Sequence, residues 1–167
     1  EYKIVKDYLK ISKKFIINIQ DKYGDIEIDE SLTHGNFTLE NALWDYSNNS
    51  IVLIDPYAET YCETILGDLS QLLQSSASGY EYISKNFNES KNSIINYPIN
   101  ILPLYLKDFS DELISCVSNE KWYSHDLTQL LRASQFTRMF PFKLVNNPRQ
   151  GLLFMLHGLK LLNKLSL

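Results

Sequence analysis

The chain carries two stretches that set the local structure of its middle part: His34-Gly35-Asn36-Phe37-Thr38-Leu39-Glu40-Asn41, and then Ile51-Val52-Leu53-Ile54-Asp55-Pro56. Between them lies Ser47-Asn48-Asn49-Ser50, a cluster that favours a turn, because Asn tolerates left-handed backbone and Ser hydrogen-bonds its own main chain. The segments 42–46 and 51–54 on either side are rich in β-branched and aromatic residues, which favour strands. The pattern predicts a β-hairpin.

The open end of this hairpin is expected to bring two oxygen-bearing side chains together. With the tip near residues 48–49, Ala42 pairs with Asp55, and Asn41 pairs with Pro56. A carboxylate and an amide oxygen are ligands that Mg²⁺ takes from proteins, leaving water and substrate phosphates to complete its octahedron. Asn41 and Asp55 are therefore candidate ligands of a hard cation.

A structural interpretation of the same pair is also open. Asn and Asp-Pro are good turn formers, so many surface hairpins begin with one and end with the other. Alone, the pair of Asn41 and Asp55 favours that structural role. The presence of His34-Gly35 ahead of Asn41 shifts the balance toward a functional site. A purely structural helical domain with a fortuitous match is the remaining alternative.

The order of these residues resembles a known catalytic centre. Residues 34–55 follow the pattern His-Gly-x-x-x-x-x-Asn, a hairpin and Ile-Asp. This is similar to the centre of the aminoglycoside phosphotransferase and choline kinase group of kinase-like folds, whose motif is His-Gly-Asp-x-x-x-x-Asn. Residues 66–75, Leu-Gly-Asp-Leu-Ser-Gln-Leu-Leu-Gln-Ser, resemble the group's Gly-Asp-x-x-x-Asp-Leu-Ala segment, which opens a helix behind the site.

One branch of this group is the most similar. Asp55-Pro56, with Gly79-Tyr80-Glu81 downstream, looks closest to kinase-like domains of bacterial capsule and surface-polysaccharide biosynthesis proteins. The resemblance runs from about residue 32 to residue 80 and is thin elsewhere. Three motifs in the right order and spacing carry it.

The resemblance implies a role for each matched position. Asn41 and Asp55 would hold Mg²⁺ and, through it, the phosphates of ATP or another NTP. His34 would brace the catalytic loop without reacting, and Asn36 stands where the family has the Asp that accepts the proton of the substrate hydroxyl. Asp68 would support the loop from behind, as a helix N-cap with its carboxylate on free backbone N–H groups.

Asn36 departs from the family's pattern. An amide orients a hydroxyl but does not take its proton at neutral pH, and base assistance is worth about 10²–10⁴ in rate. Phosphoryl transfer depends mainly on positioning and charge neutralisation, so some activity is expected to survive. A natural pseudokinase, an engineered substitution and an unusual variant all fit the sequence. No Lys or Arg occurs from Gly35 to Ile65, so this segment supplies no cation for the chemistry.

The function implied by the resemblance is ATP- and Mg²⁺-dependent phosphorylation of a hydroxyl on a small molecule, such as a sugar or a polysaccharide precursor, in the cytoplasm. Catalysis would be impaired because Asn36 replaces the catalytic Asp. The alternative is a pseudokinase, a non-catalytic module that binds or regulates.

The organisation expected from these patterns is a mainly α chain with one small β-hairpin, the C-terminal lobe of a protein-kinase-like α+β fold. The lobe would span residues 1–167, with the catalytic loop at 32–41, the hairpin at 42–55 and a helical remainder at 63–165. The residues before His34 favour a helix and include no Gly-rich strand-turn-strand and no strand Lys. The N-terminal lobe is therefore expected from elsewhere in the same protein or from another chain.

Helical spacing continues through the remainder. Apolar periodicity predicts helices from Glu63 to Ser76 and from Leu102 to Val117. Ser124 is a candidate N-cap for a further helix, which the sequence Met139-Phe140-Pro141-Phe142 is expected to break. Pro148 opens a final helix with a strong leucine stripe.

Other polar residues are assigned structural roles. His157 falls in the apolar final helix and is expected to be a partly buried, hydrogen-bonded core residue. Arg132 and Arg138 fall near the end of a helix, where they complement its dipole, and contact with an anionic substrate is the alternative. Tyr80 could line a substrate cleft, but isolated tyrosines more often pack at the edge of a core. The polar stretch 85–100 is expected to be exposed.

The composition of the chain limits the classes of protein to which it can belong. Hydrophobic residues make up 44% of the chain, enough to fill a core, and a net charge of −4 with scattered lysines disfavours nucleic acid as the main partner. No apolar run approaches the roughly 20 residues that span a bilayer. Cys62 and Cys116 share no metal-ligand spacing.

Overall fold

The computed structural model describes residues 2–57, 63–85 and 102–165, although for several residues of the first helix and for 84–85 it describes the backbone alone. In chain order, the helices and strands are α1 (Tyr2–Tyr23), β1 (Ala42–Asp45), β2 (Ser50–Leu53), α2 (Ile65–Ser76), α3 (Tyr80–Lys85), α4 (Leu104–Val117), α5 (His125–Asn146) and α6 (Pro148–Leu162). The prediction of a mainly α chain with one small hairpin is confirmed, whereas the kinase-like lobe stays a prediction. Cys62 and residues 86–100 lie outside the described residues.

The hairpin forms in the predicted place but with a different register. Ala42 pairs with Leu53 and not with Asp55, so the predicted pairing is wrong by two residues. The turn starts at Asp45, whose Oδ1 accepts a hydrogen bond from the Ser47 N–H at 2.8 Å. This Asx-type turn moves the tip of the hairpin toward the N-terminus. Because strand side chains alternate with a period of two, a shift of two residues leaves each side chain on its expected face.

The core is formed by α2, α5 and α6. Phe136 of α5 and Phe154 of α6 are fully buried, with ring centroids 5.6 Å apart. Leu73 of α2 is also fully buried, and Ile83 of α3 packs at the edge of the cluster. Each such side chain contributes about 1.5–3 kcal/mol through burial, which makes the apolar faces of these helices the main source of stability.

α5 runs unbroken from His125 to Asn146, so the predicted break at Met139-Phe140-Pro141-Phe142 is wrong. A proline inside a helix lacks the N–H that the helix uses and costs about 3 kcal/mol. Met139 and Phe140, immediately before Pro141, pack against the apolar core, and this burial offsets the lost hydrogen bond. Arg132 therefore lies within α5 and not near its end, so the dipole role predicted for it is wrong.

α6 begins where the sequence predicted. The Asn147 side chain accepts a hydrogen bond from the Gln150 N–H at 3.2 Å, and Pro148 occupies the first helical turn. Gly151 lies so close to α5 that an added Cβ would come within 2.5 Å of the Leu144 Cα. The short connection and this close approach hold α5 and α6 together as a tightly packed pair.

The end of α1 is tied to the start of α5. Lys22 Nζ lies 3.1 Å from Asp126 Oδ2, and the Tyr23 hydroxyl donates to the same oxygen at 3.0 Å. Among the helices that the structure describes, α1 included, none combines the length and the apolar character that crossing a bilayer requires.

Candidate active site

The loop before β1 is held by a carboxylate on α2. Asp68 Oδ2 accepts a hydrogen bond from the His34 N–H at 2.6 Å, and its Oδ1 accepts one from the Gly35 N–H at 2.9 Å. Charge-assisted bonds of this kind are about twice as strong as neutral ones. Gly35 has a φ of 73°, a left-handed conformation that favours glycine. Asp68 thereby fixes the backbone at the start of the loop.

Asp68 is not the N-cap of α2, contrary to the expectation from the sequence. Thr64 caps this helix, and its Oγ1 accepts a hydrogen bond from the Gly67 N–H at 3.2 Å. Because Thr64 satisfies the helix end, the carboxylate of Asp68 bonds the backbone of the loop instead. Asp68 lies in the first turn of α2, where the helix dipole also favours a negative charge.

Two more side chains of α2 hold the next part of the loop. Gln71 donates through Nε2 to the Gly35 C=O at 2.8 Å and accepts at Oε1 from the Phe37 N–H at 2.6 Å. Ser75 Oγ accepts from the Leu39 N–H at 3.1 Å. The backbone polar groups that an irregular buried loop would otherwise leave unpaired therefore find partners on a single helix.

These contacts form a polar stripe on a buried helix. Asp68, Gln71 and Ser75 recur at spacings of three and four residues, which places them on one face of α2. Gln71 is 5% exposed and Ser75 is fully buried. Sequence reasoning missed Gln71 and Ser75. The signal that could have found them is their spacing from Asp68 in a helix that is otherwise rich in leucine.

His34 makes contacts within the loop. Its Nδ1 accepts a hydrogen bond from the Asn36 N–H at 3.3 Å, and its ring lies 5.7 Å from that of Phe37. Its C=O accepts from the Tyr57 N–H at 2.8 Å, which joins the loop to the chain after the hairpin. An Nδ1 that accepts a hydrogen bond carries no proton of its own, so this nitrogen is already engaged. These contacts tie His34 to the loop and to the chain after the hairpin.

Asn36 links the two candidate metal ligands. Its Nδ2 donates to Asp55 Oδ2 at 3.1 Å, and its backbone C=O accepts from Asn41 Nδ2 at 2.8 Å. The Asn41 C=O accepts from the Ile54 N–H at 3.0 Å, which holds the open end of the hairpin against the loop. The structure therefore brings Asn36, Asn41 and Asp55 together, although the hairpin register differs from the predicted one.

The oxygens that a cation could use are defined by these contacts. Asn41 is 8% exposed and commits its Nδ2 to a carbonyl, which leaves its amide oxygen for another partner. Asp55 is exposed, and Asn36 engages one of its two carboxylate oxygens. Within the described residues, no group of three or more His, Cys, Asp or Glu side chains could hold a metal ion. A cation at this pair would need further oxygens from phosphates or water, as Mg²⁺ does with nucleotides.

The backbone of Asp55 is strained. Its φ is 57°, a left-handed conformation that costs about 1–2 kcal/mol for an L-residue, although Asp tolerates it better than most. The next residue is Pro56, which restricts the backbone before it as well. Strain of this kind persists where the surrounding structure holds it, and it clusters at functional sites. Asn49, in the turn of the hairpin, has a similar φ of 49°.

A cavity of about 110 Å³ opens beside Asn36. Tyr80 at the start of α3, Gln74 of α2 and Arg138 of α5 line it. Arg138 was predicted to complement a helix end, which is wrong because α5 continues to Asn146. On this wall it shares the cavity with Glu40, near a loop and hairpin that contain no Lys or Arg. Tyr80 both lines the cavity and packs on Phe154, at 5.8 Å between ring centroids, so it also has the core-edge position predicted for it.

The hairpin exposes an unusual amount of apolar surface. Large apolar side chains on both strands are between 43% and 65% exposed: Leu43, Trp44, Ile51, Val52 and Leu53. Contiguous apolar patches on a protein surface mark sites where another protein or domain packs. By strand alternation, Leu43 and Val52 lie on one face of the hairpin, whereas Trp44, Ile51 and Leu53 lie on the other, so both faces expose apolar side chains near the end that carries Asp55.

Comparison of the chain with family models, with curated proteins and with solved structures found no match. The loop, the end of the hairpin and the polar stripe of α2 are therefore the observations from which we infer a function.

Proposed function

We propose that this chain is the catalytic-loop lobe of a kinase-like phosphotransferase, which uses Mg²⁺ and ATP or another NTP to phosphorylate a hydroxyl of a small molecule, in the sugar or polysaccharide-precursor class. One observation carries the proposal: Asp55, Asn36 and Asn41 form a hydrogen-bonded chain on a loop whose backbone is fixed by Asp68. An ordinary hairpin end does not require a loop fixed in this way.

The two candidate ligands suit magnesium. Asn41 and Asp55 would hold the ion, which neutralises charge on the nucleotide phosphates when bound. One amide and one carboxylate oxygen match the small number of protein ligands that Mg²⁺ takes in nucleotide sites. The hydrogen bond from Asn36 orients the Asp55 carboxylate, and the bond from Asn41 to the loop orients its amide.

The acceptor hydroxyl would lie in the cavity beside Asn36. The Asn36 amide can orient that hydroxyl, but it does not remove its proton, which lowers the rate by about 10²–10⁴ relative to a carboxylate. Arg138 on the cavity wall supplies a positive charge near the site of transfer. The proposed enzyme is thus one that positions its substrates but lacks a strong base.

The exposed hairpin supports the need for a covering lobe. In the proposed assembly, one of the two exposed apolar faces of the hairpin, Leu43 with Val52 or Trp44 with Ile51 and Leu53, packs against the lobe that covers the nucleotide, from the same chain or from another one. Closure of that lobe would exclude water from the phosphates.

The experiment that tests the proposal is calorimetric titration of Mg·ATP into the full-length gene product. We expect binding that requires Mg²⁺ and that falls by more than tenfold in Asp55→Ala, with a smaller loss in Asn41→Ala, because a charged ligand contributes more than an amide. Asp21→Ala, which removes an exposed carboxylate from α1, is the matched control and should bind as the wild type does. Equal affinity in Asp55→Ala and wild type would contradict the proposal.

A second candidate function is a pseudokinase that binds nucleotide without turnover. The observation that favours it is the bond from Asn36 Nδ2 to Asp55, in which an amide occupies a carboxylate oxygen that a metal would use. Turnover assays on Asn36→Asp separate the two functions. A rate gain of about a hundredfold or more indicates an impaired enzyme, whereas Mg·ATP binding without any turnover in either protein indicates a binding module.

A further inference from the structure

A second cavity, of about 330 Å³, lies at the other end of α2. Ala77, directly after α2, lines it together with residues from the start of α4, from α5 and from the end of α6. An α-helix rises 1.5 Å per residue, so Ala77 lies about 14 Å along the axis from Asp68. This cavity is therefore separate from the candidate active site and from its small cavity beside Asn36.

The side chains around this second cavity are strongly basic. Three lysines, an arginine and a histidine line it, and none of its lining residues is acidic: Lys107, Arg132, His157, Lys160 and Lys164. The chain as a whole has a net charge of −4. Like charges gathered in a concave, low-dielectric wall focus the field and attract ions of opposite sign.

Arg132 is the most unusual member of this cluster. It is 8% exposed, and its Nε is buried without a hydrogen-bond partner among the described residues. Burial lowers the pKa of Arg132 to about 10, which leaves the guanidinium charged at neutral pH. Buried charges in proteins are normally paired, because an unpaired one costs several kcal/mol of solvation. Within the described residues, the fold therefore holds Arg132 Nε, part of a charged group, without an acceptor at the wall of a cavity.

His157 lies in the same wall and also has a buried nitrogen without a hydrogen-bond partner among the described residues. It is 6% exposed, and its Nδ1 is buried without a partner in the described part of the chain. Burial, followed by the charges of Arg132, Lys160 and Lys164, lowers the pKa of His157 to about 4. The prediction of a hydrogen-bonded core histidine is thus wrong in one respect: the residue is buried, but this nitrogen is not hydrogen-bonded.

Helix capping accounts for only part of this cluster. Lys160 and Lys164 lie at the C-terminal end of α6, where positive charges complement the dipole. However, the carbonyls of Leu159, Leu161 and Leu162 already accept backbone hydrogen bonds. Arg132, well inside α5, shares the cavity wall with Ala77 at the C-terminal end of α2, where the helix dipole favours a positive charge. That attraction gives Arg132 Nε no hydrogen-bond acceptor among the described residues, so its buried position needs a further explanation.

We propose that this second cavity binds a small phosphate-bearing molecule. The planar fork of an arginine matches phosphate oxygens in a bidentate geometry, and lysines act as further point charges around them. Four positive side chains favour a phosphate or diphosphate over a singly charged carboxylate. The volume is at the lower end of small-ligand pockets, and Leu161 on the wall offers an apolar surface to an organic part. This inference is independent of the proposed phosphotransferase function.

The test uses inorganic pyrophosphate as the probe and thermal unfolding as the first readout. At a concentration hundredfold above Kd, we expect pyrophosphate to raise Tm by about 5–10 °C, because it binds the folded state alone. NaCl at equal ionic strength and acetate at equal concentration are the comparison solutes. A pyrophosphate shift no larger than that of NaCl would overturn the proposal.

Variants locate the binding in the cavity by calorimetric titration. Arg132→Met should weaken pyrophosphate binding by roughly tenfold to hundredfold and should not lower Tm without pyrophosphate, because it removes an unpaired buried charge. Lys160→Gln, at an exposed position, should weaken binding by about twofold to fivefold, and it keeps the test valid if Arg132→Met does not fold. Arg149→Gln removes an exposed charge at the opposite end of α6 and is the matched control. Equal losses in Arg149→Gln and Lys160→Gln would indicate non-specific attraction and contradict the assignment.

Discussion

The paired helices α5 and α6 and the loop-hairpin segment 34–57 are held by different forces. The helices bury Phe136 and Phe154 completely, and their apolar packing fixes their positions. The loop-hairpin segment leaves most of its strand side chains exposed, and its backbone is fixed by hydrogen bonds from α2. The difference shows that the fold places its candidate site where packing is sparse and where polar contacts can be specific.

α2 connects the two regions. Its leucines, among them Leu66 and Leu73, are buried with the helical core, whereas Asp68, Gln71 and Ser75 bond the loop. Substitutions in the two regions should therefore separate the stability that comes from core packing from the stability that comes from the hydrogen bonds to the loop. The following predictions run from the largest expected effect to the smallest.

Phe136→Ala should have the largest effect because it empties a fully buried site in the helical core. We expect a loss of about 3–5 kcal/mol in the free energy of unfolding, measured by urea denaturation. Phe142→Ala on the same helix is the control, since Phe142 is 65% exposed, and it should change stability by less than about 0.5 kcal/mol. Similar losses in both variants would show that α5 does not bury the face described.

His157 should make the helical core sensitive to acid. Its pKa is lowered to about 4 in the folded protein, from an ordinary value of 6.5, mainly by burial. Well above pH 6.5 the imidazole is neutral in both states, so its protonation contributes nothing to the pH dependence of stability. As the pH falls from about 6.5 to about 4, the unfolded chain takes up a proton that the folded chain does not, so stability should fall by on the order of 3 kcal/mol.

The measurement for His157 compares urea denaturation at pH 7.5 and pH 4.5. The acid-induced loss should be smaller in His157→Leu than in wild type, because the variant lacks this titrating group. His125→Gln replaces an exposed histidine and is the comparison variant, in which the acid-induced loss should stay larger than in His157→Leu. A full acid-induced loss in His157→Leu would show that carboxylates alone are responsible.

Asp68→Ala should act on the loop more than on the core. It leaves the His34 and Gly35 N–H groups without their acceptor, which should lower the free energy of unfolding by about 2 kcal/mol. Hydrogen exchange should accelerate at residues 34–41 while it stays slow in α5. Asp108→Ala, which removes an exposed carboxylate from α4, is the control. Uniform acceleration throughout the chain would show that the loop and the helical core open together as one cooperative unit.

The smallest effect is expected where α1 meets α5. Asp126→Asn removes the partner of Lys22 and weakens the contact with Tyr23, a partly exposed arrangement that contributes less than about 1 kcal/mol. Raising the salt concentration to about 0.5 M should remove most of the difference between wild type and variant, since exposed ion pairs are screened. A larger loss of stability that does not depend on salt would show that this contact is buried and not partly exposed.

Sequence reasoning succeeded where a pattern is local. A hairpin was predicted at 42–55 and forms at 42–53, and the start of α6 at Pro148 was predicted, because turn formers, β-branched runs and a helix cap act over a few residues. It failed where distant packing competes with a local signal. Pro141 looked like a helix breaker, yet the burial of Met139 and Phe140 against the core keeps α5 intact.

The candidate site shows the same division. Asn36, Asn41 and Asp55 were found as residue types at a recognisable spacing, and the structure brings them together. The partners of the loop on α2, Gln71 and Ser75, were missed because the role of a glutamine or a serine in a helix cannot be predicted until the segment that it faces is known. The basic cavity was missed for the same reason: its residues come from separate helices.

The sequence by itself determined where most of the helices lie, the presence of the hairpin and the identity of the residues in the candidate loop site, since these depend on side-chain periodicity, turn preference and residue type within short windows. Tertiary structure alone decided that Asn36, Asn41 and Asp55 meet, that Asp68 bonds the loop, and that Arg132 Nε is buried without a partner among the described residues. These features depend on which faces of separate elements meet, and burial then changes what each polar group costs or can bind.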